Sequence, residues 1–358
     1  MSDIVEMSLK NYIFVPNRKA MDLNGKYQNE PEPQKKQRYI NWQAAKGLQA
    51  VDGMQTSAYL DEVAEKNIEG TISSYEASKL IDSYYDVKQD READDSYEEA
   101  DKVAARINIL ISEGGFSLST EELKSIHKRL FDGIFDFAGE FRKNNILKHE
   151  WVLDGDTVVY GNAFNLEDAV EVALRAERMT QFRQMDQEDL IYHFASFTAN
   201  LWRIHPFGEG NTRTTAVFLI KYLRSVGFDV DNSLFEHHSR YFRDALVRAN
   251  YNNLKKGVYE ERDYLDIFFS DLIAGTHHTF SSRQLHILAQ QPAVKKRLQP
   301  HEWEEQIKLI IKENPSVSRE EMARRLNTSV KTIERHLKQI SSIHYSGSAK
   351  TGEWKVEE

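Results

Sequence analysis

The sequence predicts a mainly α-helical protein with one small β-hairpin and a separate C-terminal helical module. Apolar residues recur at helical spacing over most of the chain, as on one face of an amphipathic helix. Only the stretch 146–161 combines β-forming residues with a hairpin turn, Asp154-Gly155. A capping box that opens at Ser318 starts a further helical series near the C-terminus. These three observations define the expected architecture.

Composition narrows the function classes. A chain of 358 residues with 40% hydrophobic and 29% charged residues suits two or three globular domains. Its net charge of −9 argues against a nucleic-acid surface along the whole chain. The absence of cysteine excludes disulfides, thiol nucleophiles and Cys-ligated zinc. No signal-peptide core and no apolar run of membrane-spanning length is found, so we expect a cytoplasmic protein without a membrane partner.

Residues 1–95 are predicted to form an N-terminal helical region. The proline-containing, polar stretch up to Gln37 indicates an extended arm rather than a packed unit. Apolar spacing predicts helices after it, including one near 57–70 that ends in Glu69-Gly70. Gly70 is a suitable C-cap for that helix, because glycine adopts the left-handed conformation without strain.

Residues 96–285 are predicted to form the central helical core. Ser119 or Thr120, followed by two glutamates, is a good helix start, and Asp186 caps a helix that runs to Ile204. A helix beginning near Asn211 is apolar on most sides, which indicates a buried central helix. Residues 286–301 carry two prolines and three basic residues and are predicted to be a linker.

The turn between the helix that runs to Ile204 and the helix that begins near Asn211 has the sequence His205-Pro-Phe-Gly-Glu-Gly-Asn-Thr-Arg213. A helix N-terminus offers unpaired N–H donors and a partial positive charge, so this turn suits an anion. Asn211 and Arg213 can add donors, and Gly210 has no side chain to keep a phosphate away. Glu209 is a lone acid that suits Mg²⁺ beside phosphate oxygens. His205, at the mouth of the turn, suits a general base.

These residues resemble the signature of Fic-domain proteins, His-x-Phe-x-Asp/Glu-Gly-Asn-Gly-Arg-x-x-Arg. Members typically transfer AMP from ATP to a hydroxyl of a target protein. The resemblance implies His205 as the base, Glu209 as the Mg²⁺ ligand and Phe207 as the apolar anchor of the loop. Two positions depart from the signature: Thr212 stands where Gly is usual, and Ala216 where the second Arg, which binds the terminal phosphates, is usual.

The same resemblance gives roles to residues outside the turn. The implied nucleotide-binding set is Gly210, Asn211, Thr212, Arg213 and Asn250. Gly139-Glu140-Phe141-Arg142 resembles the family's approach to the active site, and the predicted hairpin 146–161 corresponds to a flap that pairs with the target's main chain. Glu69-Gly70 resembles the end of the family's inhibitory helix, so we expect Glu69 near the pocket, with Arg213 as one contact.

Other interpretations of these residues stay open. Gly208-x-Gly210 could belong to a dinucleotide loop, although no strand precedes it. The turn could be a plain connection in which His205 caps a helix. Alternatively, the core could be a degenerate Fic-like domain without activity. The pairs His237-His238 and His277-His278 suggest a metal, although neighbouring helix positions do not converge on one ion.

Residues 302–358 resemble a winged helix-turn-helix module. Three helices and a short hairpin near Tyr345 and Trp354 are predicted, with DNA contacts from the last helix. The expected contact residues are Lys331, Thr332, Arg335 and Lys338. The module has ten Lys or Arg and ten Asp or Glu residues, so protein docking or dimerisation is the alternative.

The predicted function is protein adenylylation: AMP moves from ATP, with Mg²⁺, to a Ser, Thr or Tyr hydroxyl of a target protein, and pyrophosphate leaves. Hydrolytic removal of AMP would use the same groups. The alternatives are a DNA-binding regulator whose degenerate Fic domain only senses a nucleotide, and a phosphate transfer with the nucleotide reversed. The expected partners are a target protein and, through the C-terminal module, DNA; a homodimer is compatible with the sequence.

Overall fold

Helices make up most of the computed structural model, as the apolar periodicity predicts. It describes residues 23–87, 95–228, 230, 232–288, 300–326, 328, 330–347 and 352–357. Its contacts divide the chain into two compact units, Met1–Gln290 and Gln291–Glu358. Most of the predicted linker, residues 289–299, lies outside the described residues. Among the helices that are described, none is long and apolar enough to cross a membrane.

The first unit is a helical bundle with one long connection, between residues 131 and 166. Its helices are α1 (Leu23–Tyr27), α2 (Pro33–Gly47), α3 (Ala58–Ile68), α4 (Ser74–Val87), α5 (Asp95–Ser112), α6 (Thr120–Phe131), α7 (Leu166–Arg178), α8 (Gln187–Ile204), α9 (Asn211–Ser225), α10 (Ser233–Ala249), α11 (Asp263–Ala274) and α12 (Ser282–Leu285). Side-chain caps start several of them: the Ser119 hydroxyl accepts from the N–H of Glu122, and the Asp186 carboxylate from that of Asp189. Both starts were predicted from the sequence.

Helix α9 is the centre of this unit. Every residue from Asn211 to Leu223 is buried, so water reaches none of its faces over that length. Helices α6 and α8 pack against it, and α8 leads directly into the turn before it. A helix enclosed in this way is held in one position by its neighbours. The N-terminus of α9 is therefore a fixed platform.

The predicted extended arm before Gln37 is wrong over its described part. Residues 23–27 form α1, and α2 already begins at Pro33, where a proline is tolerated because the first helical N–H needs no partner. The side chains of Leu23 and Tyr27 are 2% and 1% exposed. Their burial in the core outweighs the polar, proline-containing sequence around them. Residues 1–22 lie outside the described residues.

The predicted hairpin at 146–161 is also wrong. Asp154 and Gly155 form the expected turn, with φ of 56° and 80°, closed by a bond from Asp156 N–H to the Leu153 carbonyl. No strand flanks it among the described residues; instead 151–153 is a 3-10 turn. Val152 and Leu153 are both fully buried, and adjacent residues of a strand would face opposite sides. The segment is a loop.

The second unit contains α13 (Pro300–Glu313), α14 (Arg319–Arg325) and α15 (Val330–Gln339), followed by strands β1 (Ile343–Ser346) and β2 (Glu353–Val356). The strands are antiparallel, with Tyr345 opposite Trp354. Trp303, Ile307, Met322 and Ile333 belong to its own buried core. This order agrees with the predicted elements, and the assignment as a winged helix stays a prediction.

Candidate active site

The turn between α8 and α9 holds its shape through its own side chains. His205 ends α8 in the left-handed conformation, with φ of 50°, and Gly210 precedes α9 with φ of 73°. Asn211, 3% exposed, bridges the turn: its amide oxygen accepts from Phe207 N–H, and its amide nitrogen donates to the Phe207 carbonyl. The side chain of Asn211, which was predicted to donate to a phosphate, instead holds the two ends of the loop together. Only the backbone N–H of Asn211 is left to donate at the start of the helix.

Gly210 is required for two reasons. A side chain would be strained at its positive φ. A Cβ there would also lie 2.3 Å from the ring of Phe131, at the end of α6. The sequence suggested that a side chain at this position would obstruct a phosphate. In the structure, a side chain at position 210 would instead meet the ring of Phe131.

His127 of α6 supports the turn from below, and sequence reasoning missed it. Its Nδ1 accepts from Gly139 N–H at 2.9 Å, so Nε2 carries the proton and donates to the Glu209 carbonyl at 3.0 Å. The ring stacks on Phe207 with centroids 3.8 Å apart. Burial lowers the pKa of His127 to about 4, so the ring is neutral near pH 7. Its spacing on α6 carried no signal beyond a buried helix face.

The start of α9 provides the donors of an anion site. The first N–H groups of an α-helix have no acceptor within the helix, which leaves those of Asn211, Thr212 and Arg213 directed out of its end. Thr212 turns its hydroxyl inward, where it accepts from the Trp202 indole N–H at 3.0 Å. Thr212 therefore contributes to the site through its backbone alone. Its side chain joins the two helices behind the turn.

His205 lies deeper than the sequence suggested. It was expected at the mouth of the turn, but it is only 3% exposed. Tyr160 of the 143–161 loop packs on its ring with centroids 4.2 Å apart, and Trp202 packs edge-on. Neither ring nitrogen has a hydrogen-bond partner among the described residues. Burial, followed by the positive charge of Lys148, holds the pKa of His205 well below its usual value. The imidazole of His205 is therefore neutral, and the ring of Tyr160 covers it.

Arg142 holds the backbone of His205. Its side chain donates to the His205 carbonyl at 2.8 Å and to the carbonyls of Asn144 and Gly161. Its own N–H donates to the Pro206 carbonyl. One buried guanidinium thus ties the segment after α6, the 143–161 loop and the turn together, which stabilises the left-handed backbone at His205.

Glu209 has the properties expected of a metal ligand. Its side chain is half exposed, and the Lys148 ammonium lies 2.8 Å from its carboxylate. A carboxylate that pairs with the Lys148 ammonium can pair with another cation in its place. Mg²⁺ binds commonly through one or two carboxylates with substrate phosphates, so a single acid is sufficient. Over the described part of the chain no cluster of three or more His, Asp or Glu residues could hold a metal, which disfavours a metal at the two histidine pairs.

Arg213 does not present its guanidinium to the turn. It is 2% exposed and pairs with Asp52 (Nε to Oδ2, 2.9 Å) and Glu99 (Nη2 to Oε1, 2.8 Å). Gln49 accepts from its Nη1 at 3.1 Å. The predicted phosphate clamp is thus engaged by carboxylates from the N-terminal region and α5. Reaching a phosphate would require the buried guanidinium to leave two carboxylates that are themselves 29% and 30% exposed.

Glu69 does not make the expected contact with Arg213. Its carboxylate pairs with Lys35 at 2.7 Å and with Lys26 at 3.3 Å, and it accepts from the Tyr27 hydroxyl. The pKa of Glu69 is lowered to about 2, first by the hydrogen bond from Lys35. The contact with Arg213 that was expected from Glu69 is made by Asp52 and Glu99.

The remaining predicted residues have structural partners. The Asn250 amide donates to the carbonyls of Ala199 and Leu246, which joins α10 to α8. In the second unit, Lys331 and Lys338 are exposed and Thr332 is 5% exposed, and DNA contact by Thr332 stays a prediction. Arg335 is half-buried. Base contact by Asn250 and DNA contact by the three cationic residues stay predictions.

Comparisons with known proteins bear on this arrangement. Residues 117–223 match the model of the Fic/DOC family. The chain is 28% identical over 141 residues to the protein adenylyltransferase VbhT of Bartonella schoenbuchensis, covering 39% of this chain and 27% of that relative. It is 29% identical over 126 residues to the probable protein adenylyltransferase y4lH of Sinorhizobium fredii, covering 35% and 62%. The matches thus span less than two thirds of either relative.

Among solved structures, that of a Fic family protein from Desulfovibrio desulfuricans G20 aligns over 98% of this chain and 95% of its own, with a TM-score of 0.45 and 12% identity.

Proposed function

We propose that the chain is a protein adenylyltransferase that moves AMP from ATP to a hydroxyl of a target protein, because residues 117–223 match the Fic/DOC family model and two relatives carry that activity in their names. One observation carries the proposal: a neutral buried imidazole, a carboxylate that accepts a cation and the N-terminus of a central helix lie on a single nine-residue turn, 205–213. The acceptor is a Ser, Thr or Tyr side chain, and pyrophosphate is the leaving group.

The backbone of the turn binds the phosphates. The N–H groups at the start of α9 stabilise the negative charge that grows on the α-phosphate oxygens during transfer. These donors are effective because α9 is enclosed by its neighbours and does not reorganise. Glu209 would hold Mg²⁺, which neutralises phosphate charge and orients the phosphate groups when bound.

His205 is the general base. Its pKa lies below the working pH, so the ring is unprotonated and can accept the proton of the attacking hydroxyl. Both ring nitrogens are unpartnered among the described residues, so no internal bond has to break first. Tyr160 must move from the ring before a target side chain can approach. Hydrolysis of an AMP-modified target would use the same base with water.

Labelled ATP tests the proposal. Incubation with Mg²⁺ and ATP labelled at the α-phosphate should label protein, whereas label at the γ-phosphate should not be incorporated. His205→Ala should lower incorporation at least about hundredfold, the usual minimum for a lost general base, and leave ATP binding unchanged. Incorporation from the γ-position would establish phosphate transfer instead, and retained labelling by His205→Ala would refute the role of His205.

A nucleotide sensor without transfer activity is the second candidate, because two groups of the site are engaged internally. Tyr160 covers His205, and Asp52 and Glu99 neutralise Arg213. ATP binding without incorporation of either label would favour the sensor. A gel shift with the intact chain and DNA would test the associated proposal that Lys331, Arg335 and Lys338 contact DNA. Analytical ultracentrifugation would test a homodimer.

A further inference from the structure

Among the described residues, the cations Arg142 and Lys148 contact the turn and Arg213 belongs to it, and the two arginines are committed elsewhere. Arg142 donates to backbone carbonyls of His205, Asn144 and Gly161, and Arg213 pairs with Asp52 and Glu99. Both side chains are buried, with Arg142 9% and Arg213 2% exposed. Recruiting either one would leave buried acceptors or carboxylates without a partner.

Lys148 differs from both. Its side chain is 23% exposed, and its ammonium contacts Glu209, which is itself a residue of the turn. The pair is partly solvated, and a partly solvated ion pair is worth little, so exchange of its partner costs little. A lysine also carries its charge on a flexible four-carbon stem, which allows the ammonium to move while the backbone stays in place.

We propose that Lys148 is a nucleotide-binding residue of this chain, which moves from Glu209 to the β- or γ-phosphate when Mg²⁺ and ATP bind. The inference rests on the proposed function. It assigns a phosphate-binding cation to the 143–161 loop, and position 216, a buried alanine, carries none. No charge is left unpaired in the exchange: Glu209 would pair with Mg²⁺ in place of the ammonium, and the ammonium would pair with a phosphate in place of the carboxylate.

Substitutions at position 148 separate this role from a structural one. Lys148→Met removes the charge and keeps the length of the side chain, and Lys148→Arg keeps the charge. Lys143→Met is the matched control, because Lys143 lies on the same segment with its side chain 86% exposed and 3.9 Å from its acidic partner, Glu140. Thermal unfolding of all three should match the wild type, since each site is accessible to solvent.

Calorimetric titration with nucleotides in Mg²⁺ measures the first expected effect. Lys148→Met should bind ATP at least about tenfold more weakly, the loss expected for one charge-assisted contact, and bind AMP as the wild type does. Lys148→Arg and Lys143→Met should bind ATP within about threefold of the wild type. Equal loss for ATP and AMP, or unchanged affinity for ATP in Lys148→Met, would overturn the proposal.

Titration with Mn²⁺ alone, followed by electron paramagnetic resonance, measures the second. The ammonium competes with a metal ion for Glu209, so Lys148→Met should bind Mn²⁺ more tightly while it binds ATP more weakly. A purely structural role would weaken both, which would contradict the exchange. If the wild type bound no ATP, both this inference and the proposed transfer would fail. If the wild type incorporated the α-label and Lys148→Met kept its affinity for ATP, only this inference would fail.

Discussion

The turn at 205–213 is held from beneath by stacked rings, whereas the 143–161 loop combines buried apolar side chains with ion pairs to residues far along the chain. His127, Phe131 and Phe207 are all buried and pack on one another under the turn. The loop instead depends on Glu150, which pairs with Arg243 of α10, and on Asp156, which pairs with Lys256. The difference fits the proposed division of the site, in which the turn is the rigid half that would bind phosphate and the loop is the adjustable half that would cover the base.

The most severe test of the rigid half is Gly210→Ala. The alanine would sit at φ 73° and place its Cβ 2.3 Å from Phe131. The conformational and steric costs together should lower the free energy of unfolding by about 4 kcal/mol, measured by urea denaturation. They should also displace the phosphate-binding donors, so ATP binding should be lost in the protein that remains folded.

Gly155→Ala is the matched control from the loop. Gly155 has φ of 80°, but a Cβ there would meet nothing within 4 Å. Only the conformational cost applies, about 1 kcal/mol. If the two alanine variants were equally stable, the ring of Phe131 would not restrict the turn, and the proposed contrast between turn and loop would be lost.

The pH dependence of stability tests the ring beneath the turn. The pKa of His127 is about 4 in the folded protein and about 6.5 when unfolded, so the unfolded chain binds the proton more readily between these values. The stabilisation is present above pH 6.5 and is lost as the pH falls toward 4. From pH 7 to pH 5 this residue should cost about 2 kcal/mol.

His127→Gln should remove that share of the acid destabilisation, measured as the difference in urea midpoints between the two pH values. His149→Gln, on the exposed part of the loop, serves as the control and should behave as the wild type. His205 titrates in the same direction but is present in every protein compared, so its contribution cancels. An unchanged pH dependence in His127→Gln would mean that this ring is not kept neutral by burial.

Local sequence rules predicted the rigid half better than the loop. Caps at Ser119 and Asp186, and the turn at 205–213, depend on residues close in sequence, and all are present. The hairpin failed because Val152 and Leu153 are buried side by side, and because Glu150 is drawn inward by Arg243 from a distant helix. Periodicity and turn chemistry contain no information about such a partner.

The ionic partners of the site could not be predicted for the same reason. Arg213 was expected to clamp a phosphate. Its pairing with Asp52 and Glu99 could not be foreseen, because both lie far from it in the sequence. Lys148 lies in the stretch that was predicted to form a hairpin, and only the fold brings it to Glu209. His127 received no role from the sequence. In each case a long-range contact decides what the side chain does.

The smallest expected effect concerns the cover over His205. Tyr160→Phe removes the hydroxyl that donates to Glu150 but keeps the ring, and Arg243 still neutralises Glu150, so stability should fall by only about 1 kcal/mol. The rate at which diethylpyrocarbonate modifies His205, followed by mass spectrometry, should stay within about twofold of the wild type. Tyr160→Ala removes the ring and should raise that rate at least about tenfold. Equal protection in the alanine variant would show that packing beneath the turn, and not the loop, buries the base.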